Sequence, residues 1–521
     1  MAIITEKILD FSRGVTNEIR TPDSRFASMV KNFDIHTYQK KLVPLRSTEA
    51  GDADATTILG VRNFCIAKLN TTPTYALYGL ARDSANSRAE VFYKNISVGS
   101  ANDLDDDNWT STANNLETTG TAMNDTDYNL FVFYEKAGLI YGARDKQYVW
   151  AYDPDGGTAF AGTAKDLGAY TNIQQGLVHS KDDILYVPYD NKIAKFDNST
   201  WTAPALTLPA HLKINSISEY GNYLAIACGP ISGFGKSVVY LWDRDATLTT
   251  LSESIDWGEG ELFVLEEIEG VLIGISNVGK GASFNNRLVF RYLNGNKATV
   301  FNELLSQEVT SGLTSIYAKY KQNNYLYFVF GMTFYDGTAQ LGIWKLGKNK
   351  EGNFALSFDR TLRNDATGIT ITKFYGLIVV GDFLFFTYDD SGTITVRKTI
   401  EKSGTDEFVA TSIYETIILN GEDSSKTKKL LSVTVLTEPL PAAGQIVLKY
   451  KKDEDIDGNT FTTILTHTTD DVIRHTAVNI ESSGANLPQY KELIFRIEST
   501  GGSVVTGLKW KWEEVKDDII D

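Results

Sequence analysis

Cysteine is almost absent from this chain: Cys65 in NFCIAKL and Cys228 in LAIACGP are the only two in 521 residues. Two thiols set in apolar, strand-like runs cannot make a disulfide framework or a cysteine zinc site, so buried free thiols are expected. Proline (11) and methionine (four) are also scarce, against 26 tyrosines and 26 phenylalanines. That balance favours strands over helices and makes all-β the expected class. The five histidines, His36, His179, His211, His467 and His475, show no paired metal spacing. No run of about 18 apolar residues occurs, so membrane insertion is not expected. The opening MAIITEKILDF lacks the basic segment, apolar core and cleavage site of a secretory signal, so a soluble protein made in a cytoplasm is expected. Positive charge is in deficit as well, with 50 basic residues against 66 acidic ones and a net charge of -16. General nucleic-acid binding, which neutralises phosphates with Lys and Arg, is disfavoured. DNA sliding past an acidic wall remains compatible with that charge.

What the chain does contain is a rhythm. From about residue 57, strand-like runs alternate with Gly, Asn and Asp turns, and one kind of run recurs: AEVFYKN, QYVWAYDPD, KIAKFDNS, VVYLWDRD, LVFRYLNGN, LGIWKLGKN and ITVRKT. With Tyr93, Tyr152, Phe196, Trp242, Tyr292, Trp344 and Val396 as landmarks, the steps are 59, 44, 46, 50, 52 and 52 residues. Each landmark is preceded by a run that puts glycine or asparagine before a hydrophobic strand, as in KAGLIYGARD, EYGNYLAIACG and NNYLYFVFG. We read the earlier run as an inner strand and the landmark as an outer one. A repeat of about 50 residues cannot bury both faces alone, so consecutive repeats must stack around an axis. The expected fold is an all-β, six- or seven-bladed β-propeller over residues 53–405. It is preceded by an extended N-terminal arm, residues 1–52, and followed by a C-terminal β-sandwich, residues 406–521, where longer alternating strands take over. In the last of these, GLKWKWEEV, Trp510 and Trp512 share one face and are expected in the core.

Three segments imitate functional motifs. CGPISGFGKSVVYLW carries Gly235-Lys236-Ser237 after an apolar strand, yet Pro230 stands where a phosphate-binding loop needs glycine, and a strand rather than a helix follows, so a blade hairpin is expected. DEDIDGN places Asp453, Asp455 and Asp457 before Gly458 like half a calcium loop, but Ile464 occupies the position of the bidentate glutamate, which points to a solvated hairpin tip. The acidic DLDDDNW (Asp103–Trp109) and DPDGG (Asp153–Gly157) read as surface loops. The Ser-x-Asp-x-Gly-x-Thr-Trp boxes of sialidases are absent. The sequence therefore nominates no catalytic residue, cofactor or metal ligand.

The opening DFSRGVTNEIRTPDSRFASMVKNFDIHTYQKKLVPLRS has no helical period and no sustained alternation. It suits an arm laid over another surface, with Phe33, Ile35, Tyr38, Leu42, Pro44 and Arg46 as candidate assembly contacts. It resembles the opening of virion proteins of tailed bacteriophages, similar to tail nozzle or tail-hub proteins, on the cues Gly14, Pro22, Asn32, Leu42, Pro44 and Arg46. The C-terminal EPLPAAGQIVLKYKKDEDIDGNTFTTIL and LIFRIESTGGSVVTGLKWKWEEV resemble an accessory sandwich of phage structural propellers. The resemblance implies a non-enzymatic, structural part of the virion tail or neck. Such a part is a homo-oligomeric ring, expected as a hexamer, that touches portal, adaptor or tail proteins and lets DNA pass through an acidic channel. A glycan- or receptor-binding adhesion module is the alternative reading, and a propeller-type glycoside hydrolase a further one. On the first reading the arm packs on the propeller rim or a neighbouring subunit, and removing residues 1–47 leaves a folded propeller that no longer assembles.

Overall fold

The computed structural model describes residues 3–16, 23–38, 40–50, 58–69, 75–83, 89–96, 103–104, 109–115, 129–144, 146–156, 163–231, 235–245, 253–278, 287–305, 319–333, 339–349, 351–361, 371–390, 393–399, 408–421, 423–458, 460–468, 471–478 and 487–515. The chain opens with β1 (Ile3–Ile8), β2 (Ala27–Lys31), β3 (Phe33–Asp34), β4 (Val43–Pro44) and β5 (Thr48–Ala50). A repeating series follows. The first sheet holds β6 (Ile58–Lys68), β7 (Tyr75–Asp83), β8 (Ala89–Asn95) and β9 (Thr110–Asn115). The second holds β10 (Phe131–Tyr134), β11 (Leu139–Arg144), β12 (Tyr148–Tyr152) and β13 (Thr163–Asp166). The third holds β14 (Leu177–His179), β15 (Ile184–Tyr189), β16 (Lys192–Phe196) and β17 (Trp201–Thr207). The fourth holds β18 (Leu212–Tyr220), β19 (Tyr223–Pro230), β20 (Lys236–Trp242) and β21 (Glu253–Glu259), and the fifth β22 (Glu261–Ile268), β23 (Val271–Val278), β24 (Arg287–Asn294) and β25 (Lys297–Leu305). The sixth repeat runs through β26 (Lys319–Gln322), β27 (Tyr325–Thr333), β28 (Ala339–Lys348) and β29 (Phe354–Thr361). The seventh has β30 (Ile371–Val380), β31 (Phe383–Asp390) and β32 (Thr393–Thr399), and takes β5 as its fourth strand.

The chain divides into two compact units, one of Met1–Ser47, Phe330–Thr367 and Lys402–Asp521, the other of Thr48–Val329 and Gly368–Glu401. The second unit is a β-propeller that holds repeats one to five, the seventh and the start of the sixth, whereas β28 and β29 fall in the first unit, so the expected propeller range of residues 53–405 is interrupted. All seven landmarks lie in the third strand of their repeats, and the runs before them form the second strands, so the two are the middle pair of each sheet rather than its inner and outer members. The turn from first to second strand explains the Gly, Asn and Asp signals. Residues with positive φ stand there in repeats two to seven, at Gly138, Asp183, Gly221, Gly270, Asn323 and Gly381, as tight hairpins require. Adjacent repeats bury shared cores. Tyr78, Val91, Phe131 and Tyr152 join the first and second; Ile193, Leu212, Ile226 and Trp242 join the third and fourth; Val61, Phe64, Ile378 and Phe385 join the seventh and first. Closure comes from β5, where Thr48, Glu49 and Ala50 pair with Thr399, Lys398 and Arg397, and Arg397 Nη2 donates to the Thr48 carbonyl at 2.9 Å. The sequence-based boundary at residue 53 misses this strand, because three residues of an edge strand carry no periodicity.

The first unit continues with β33 (Ser412–Thr416), β34 (Lys428–Thr437), β35 (Gln445–Lys452), β36 (Thr462–His467), β37 (Arg474–Val478), β38 (Gln489–Tyr490), β39 (Leu493–Thr500) and β40 (Val505–Glu514). One of its sheets has the order β1-β40-β34-β37, with β38 also on β34. The other carries β2 between β29 and β33, then β39, β35 and β36. Trp510 and Trp512 are buried, as expected. The opening segment is not a separate arm: β1 pairs antiparallel with β40, and β2 with β33. A segment too irregular to bury itself acquires order by borrowing edges made of residues 412–514. Phe33, Ile35, Leu42 and Pro44 are buried, Arg46 is half-buried and bridges Phe408, and Tyr38 alone of the six is well exposed, at 49%. Gly14 has φ 74° and lies so close to the chain that a Cβ would meet the Leu356 carbonyl oxygen at 2.3 Å, so no other residue fits. Asn32 donates from Nδ2 to Thr411 O at 2.9 Å, while Leu42 exchanges backbone hydrogen bonds with Val505. Pro22 lies outside the described residues.

Candidate functional site

The first strands of the propeller repeats carry its polar chemistry, and the sequence reading missed them. They are broken by bulges between Val61 and Asn63, Ile214 and Ser216, Leu262 and Val264, and Phe374 and Leu377. A bulge adds an unpaired residue and re-aims its side chain, as at Asn215, and other amides at or just before the first strands also reach the next repeat. Asn63 Nδ2 donates to Asn129 O at 3.1 Å, Asn129 Nδ2 to Ile173 O at 2.7 Å, Asn172 Nδ2 to Ile214 O at 3.4 Å, and Asn215 Nδ2 to Leu262 O at 2.9 Å. Asn129, Asn172 and Asn215 recur every 43 residues, a signal that was present in the sequence.

Where repeats three to six meet, these strands enclose a cavity of about 150 Å³ lined by Gln174, Asn215, Glu266, Lys319, Tyr320 and Lys321, among others. Its charges are spent on one another. Lys319 Nζ donates to Leu265 O at 2.7 Å, Glu266 Oε2 at 3.1 Å and Ile217 O at 3.3 Å, using all three protons. Ser218 Oγ donates to the other Glu266 oxygen at 3.0 Å, and Lys321 Nζ lies 2.8 Å from Glu267 Oε2. Burial pushes the Tyr320 phenol above its ordinary pKa. A glycosidase needs two carboxylates facing each other across its pocket. Among the described residues lining this cavity, Glu266 is the only carboxylate, and it is held by lysine.

The imitation motifs resolve as structure. Ser237 begins no helix: Lys236 and Ser237 start β20, Lys236 pairs with Asp256 at 2.9 Å, and Ser237 Oγ donates to Gly260 O at 2.6 Å. DEDIDGN forms a 3-10 turn, Asp453–Asp457, in which Asp453 Oδ1 accepts the Lys491 and Glu492 amides and Ile456 is buried against Ile418 and Ile494. It is thus a partly buried corner rather than a wholly solvated tip. Asp153 caps its own loop through the amides of Asp155 and Gly156, and residues 105–108 of the other acidic loop lie outside the described residues. Cys65 and Cys228 are buried free thiols. No group of three or more potential metal ligands occurs among the described residues.

In the first unit, His36 Nε2 stands 3.2 Å from Ser357 Oγ, which superficially suggests a nucleophile and base. Both are buried, however, and Asp34 accepts the backbone amide of His36 rather than its ring. Burial, then the nearby Lys345 ammonium, push the His36 pKa down to about 3, partly opposed by Asp34. The unfolded chain therefore binds the proton and the folded one does not between about pH 6.5 and 3, so stability is full above that window and falls as pH drops through it. Up to about 5 kcal/mol is at stake. Urea unfolding at pH 7 and pH 4.5 is expected to show this loss and its reduction in His36→Gln; an unchanged pH slope in the variant would refute the assignment.

No family model matches the chain, and no curated protein does. Among solved structures it is similar to an exo-β-1,3-galactanase from Phanerochaete chrysosporium with galactose, at 12% identity over 90% of this chain and 100% of that one, with a TM-score of 0.31. It is also similar to the Dos1 propeller, at 13% identity over 68% of this chain and 95% of that one, with a TM-score of 0.39.

Proposed function

We propose that the chain is a non-enzymatic structural component of a tailed-bacteriophage virion, a nozzle- or hub-like ring protein of the tail or neck that serves tail assembly and genome passage. The observation that carries this reading is the pair of edges left by the sheet β1-β40-β34-β37. Ile3 and Ile4 stand exposed on β1, with Ile3 at 62%; Val472, Ile473 and Val478 stand exposed at β37, with Ile473 at 57%. Every pairing in this sheet is antiparallel, so β1 and β37 run in opposite directions. A second copy related by rotation can set its β1 beside β37 and continue the alternation. Such a head-to-tail contact uses different surfaces on its two sides and closes as a ring when the rotation allows. It also covers edges that would otherwise template aggregation. Paired charges in the propeller cavity fit a scaffold better than a catalyst. In a hexamer the net charge of -16 per chain would keep DNA phosphates from adhering during passage.

Portal, adaptor or other tail proteins are the proposed further partners, and the virion the proposed location. Sedimentation of the purified protein is expected to show a closed oligomer. Ile473→Asp is expected to shift it to monomer while its tryptophan fluorescence stays native. A wild-type protein that remains monomeric at 100 μM and is absent from purified particles would overturn the reading.

A further inference from the structure

We propose that Asn294 is a site of spontaneous main-chain modification, converting to aspartate and isoaspartate, while Asn420, set in the same tripeptide, is shielded by the fold. This does not rest on the ring-assembly reading. Leu-Asn-Gly occurs twice in the chain, as Leu293-Asn294-Gly295 and Leu419-Asn420-Gly421, so the local chemistry of the two sites is matched. In that chemistry the glycine nitrogen attacks the asparagine Cγ and the side-chain amide leaves as ammonia, carrying the N–H proton with it, which closes a succinimide. Water then opens the ring at either carbonyl, leaving a normal or an iso-linked aspartate. Glycine favours the attack because no side chain obstructs the closing ring. What differs between the sites is the freedom of the turn.

Asn294 ends β24 and pairs with Lys297 at the start of β25, so Gly295 and Asn296 alone make the turn. Gly295 has φ 58° and Asn296 stays out of the positive region, the pattern of a type II′ hairpin with glycine first. Asn294, Gly295, Asn296 and Lys297 are all exposed, and a Cβ on Gly295 would meet no atom within 4 Å. Attack requires the turn to leave its hairpin geometry, and nothing packed on it resists; a hairpin end of this kind opens locally at little cost. Asn420 has the opposite setting. Leu419 exchanges backbone hydrogen bonds with Leu493 at 2.8 and 3.0 Å, the Asn420 carbonyl accepts the Asp423 amide at 3.2 Å, and a Cβ on Gly421 would meet Trp512 Cζ2 at 2.6 Å and Lys428 Cε at 3.0 Å. Trp512 and Lys428 are themselves buried, so the same attack there must first break the packing around them. Conversion at Asn294 places a new carboxylate beside Lys297, and the iso-linkage inserts a methylene into the main chain. The Asn294–Lys297 pair is then lost while β24 and β25 stay paired from Leu293 and Ala298 inward.

The test incubates the full chain at pH 8 and 37 °C, native and in 6 M guanidinium chloride, and follows both sites by mass spectrometry of peptic peptides. An isoaspartyl methyltransferase with a labelled methyl donor marks the iso product. In the native chain Asn294 is expected to gain the mass of an NH2-to-OH exchange at least about tenfold faster than Asn420, and in guanidinium the two rates are expected to converge. Asn294→Gln is expected to remove the more acidic species seen on ion exchange while the melting transition stays that of the wild type. No conversion at Asn294 in the native chain, equal native rates at the two sites, or the same rate ratio in guanidinium as in buffer would overturn the proposal. Ile473→Asp is expected to convert at Asn294 as the wild type does, which separates this result from failure of ring assembly.

Discussion

A chain lacking residues 1–47 is expected to lose the folded first unit altogether. The sequence alone suggested a detachable arm, but the segment contributes Ile8, Phe11, Val15, Met29, Val30, Phe33, Ile35 and Leu42 to a buried interior. At about 1.5–3 kcal/mol for each buried side chain, the loss is on the order of 10–20 kcal/mol. That matches or exceeds the roughly 5–15 kcal/mol that holds a typical protein folded. Deletion also strips β40 and β33 of partners and exposes new edges. Limited proteolysis should cut the truncated chain throughout residues 408–515, and Trp510 and Trp512 should emit as solvated indoles. A truncated protein with the wild-type protease pattern and melting transition would show that the arm is dispensable.

Lys319→Met is expected to produce the second large effect, a loss of about 2–4 kcal/mol. Lys319 and Glu266 are only 14% and 17% exposed, and the lysine ties three successive repeats together through Ile217 O, Leu265 O and the Glu266 carboxylate. Removing one member of a largely buried pair strands the other charge, which costs more than the pair itself contributes. For the same reason Lys319→Met with Glu266→Leu should recover more than half of the loss. Denaturant titrations of the two variants decide the matter. A double variant less stable than the single one would mean that the ion pair itself, rather than the stranded carboxylate, is what counts.

The sequence displayed the middle of each propeller repeat and hid its margins. Second strands such as Tyr223–Pro230 are buried on both faces, and third strands such as Lys236–Trp242 bury one face and half-bury the other, so both read as aromatic and β-branched runs between sharp turns. First strands lose their alternation at bulges, as Asn215 shows, and fourth strands such as Thr110–Asn115 are polar. The candidate cavity was invisible for a related reason. Gln174, Asn215, Glu266 and Lys319 come from four repeats, and only the ring brings them together. Of the six arm residues singled out, Phe33, Ile35, Leu42 and Pro44 were rightly read as needing cover. What could not be read was that the cover comes from strands of the same chain more than 300 residues away.

The pairing of Thr48 with Thr399 sets an order of events on the ribosome. The strand that completes the seventh sheet is among the first to be synthesised, and its partner is among the last of the propeller. Each intermediate length of nascent chain therefore carries an unmatched sheet margin, exposed to chaperones, proteases and neighbouring chains. Contacts so distant in sequence also slow the final step, since a long loop must be closed before any hydrogen bond rewards it. A prematurely terminated product cannot make the last pairing and stays marked by its open margin, so closure by β5 gives the cell a built-in check on completeness.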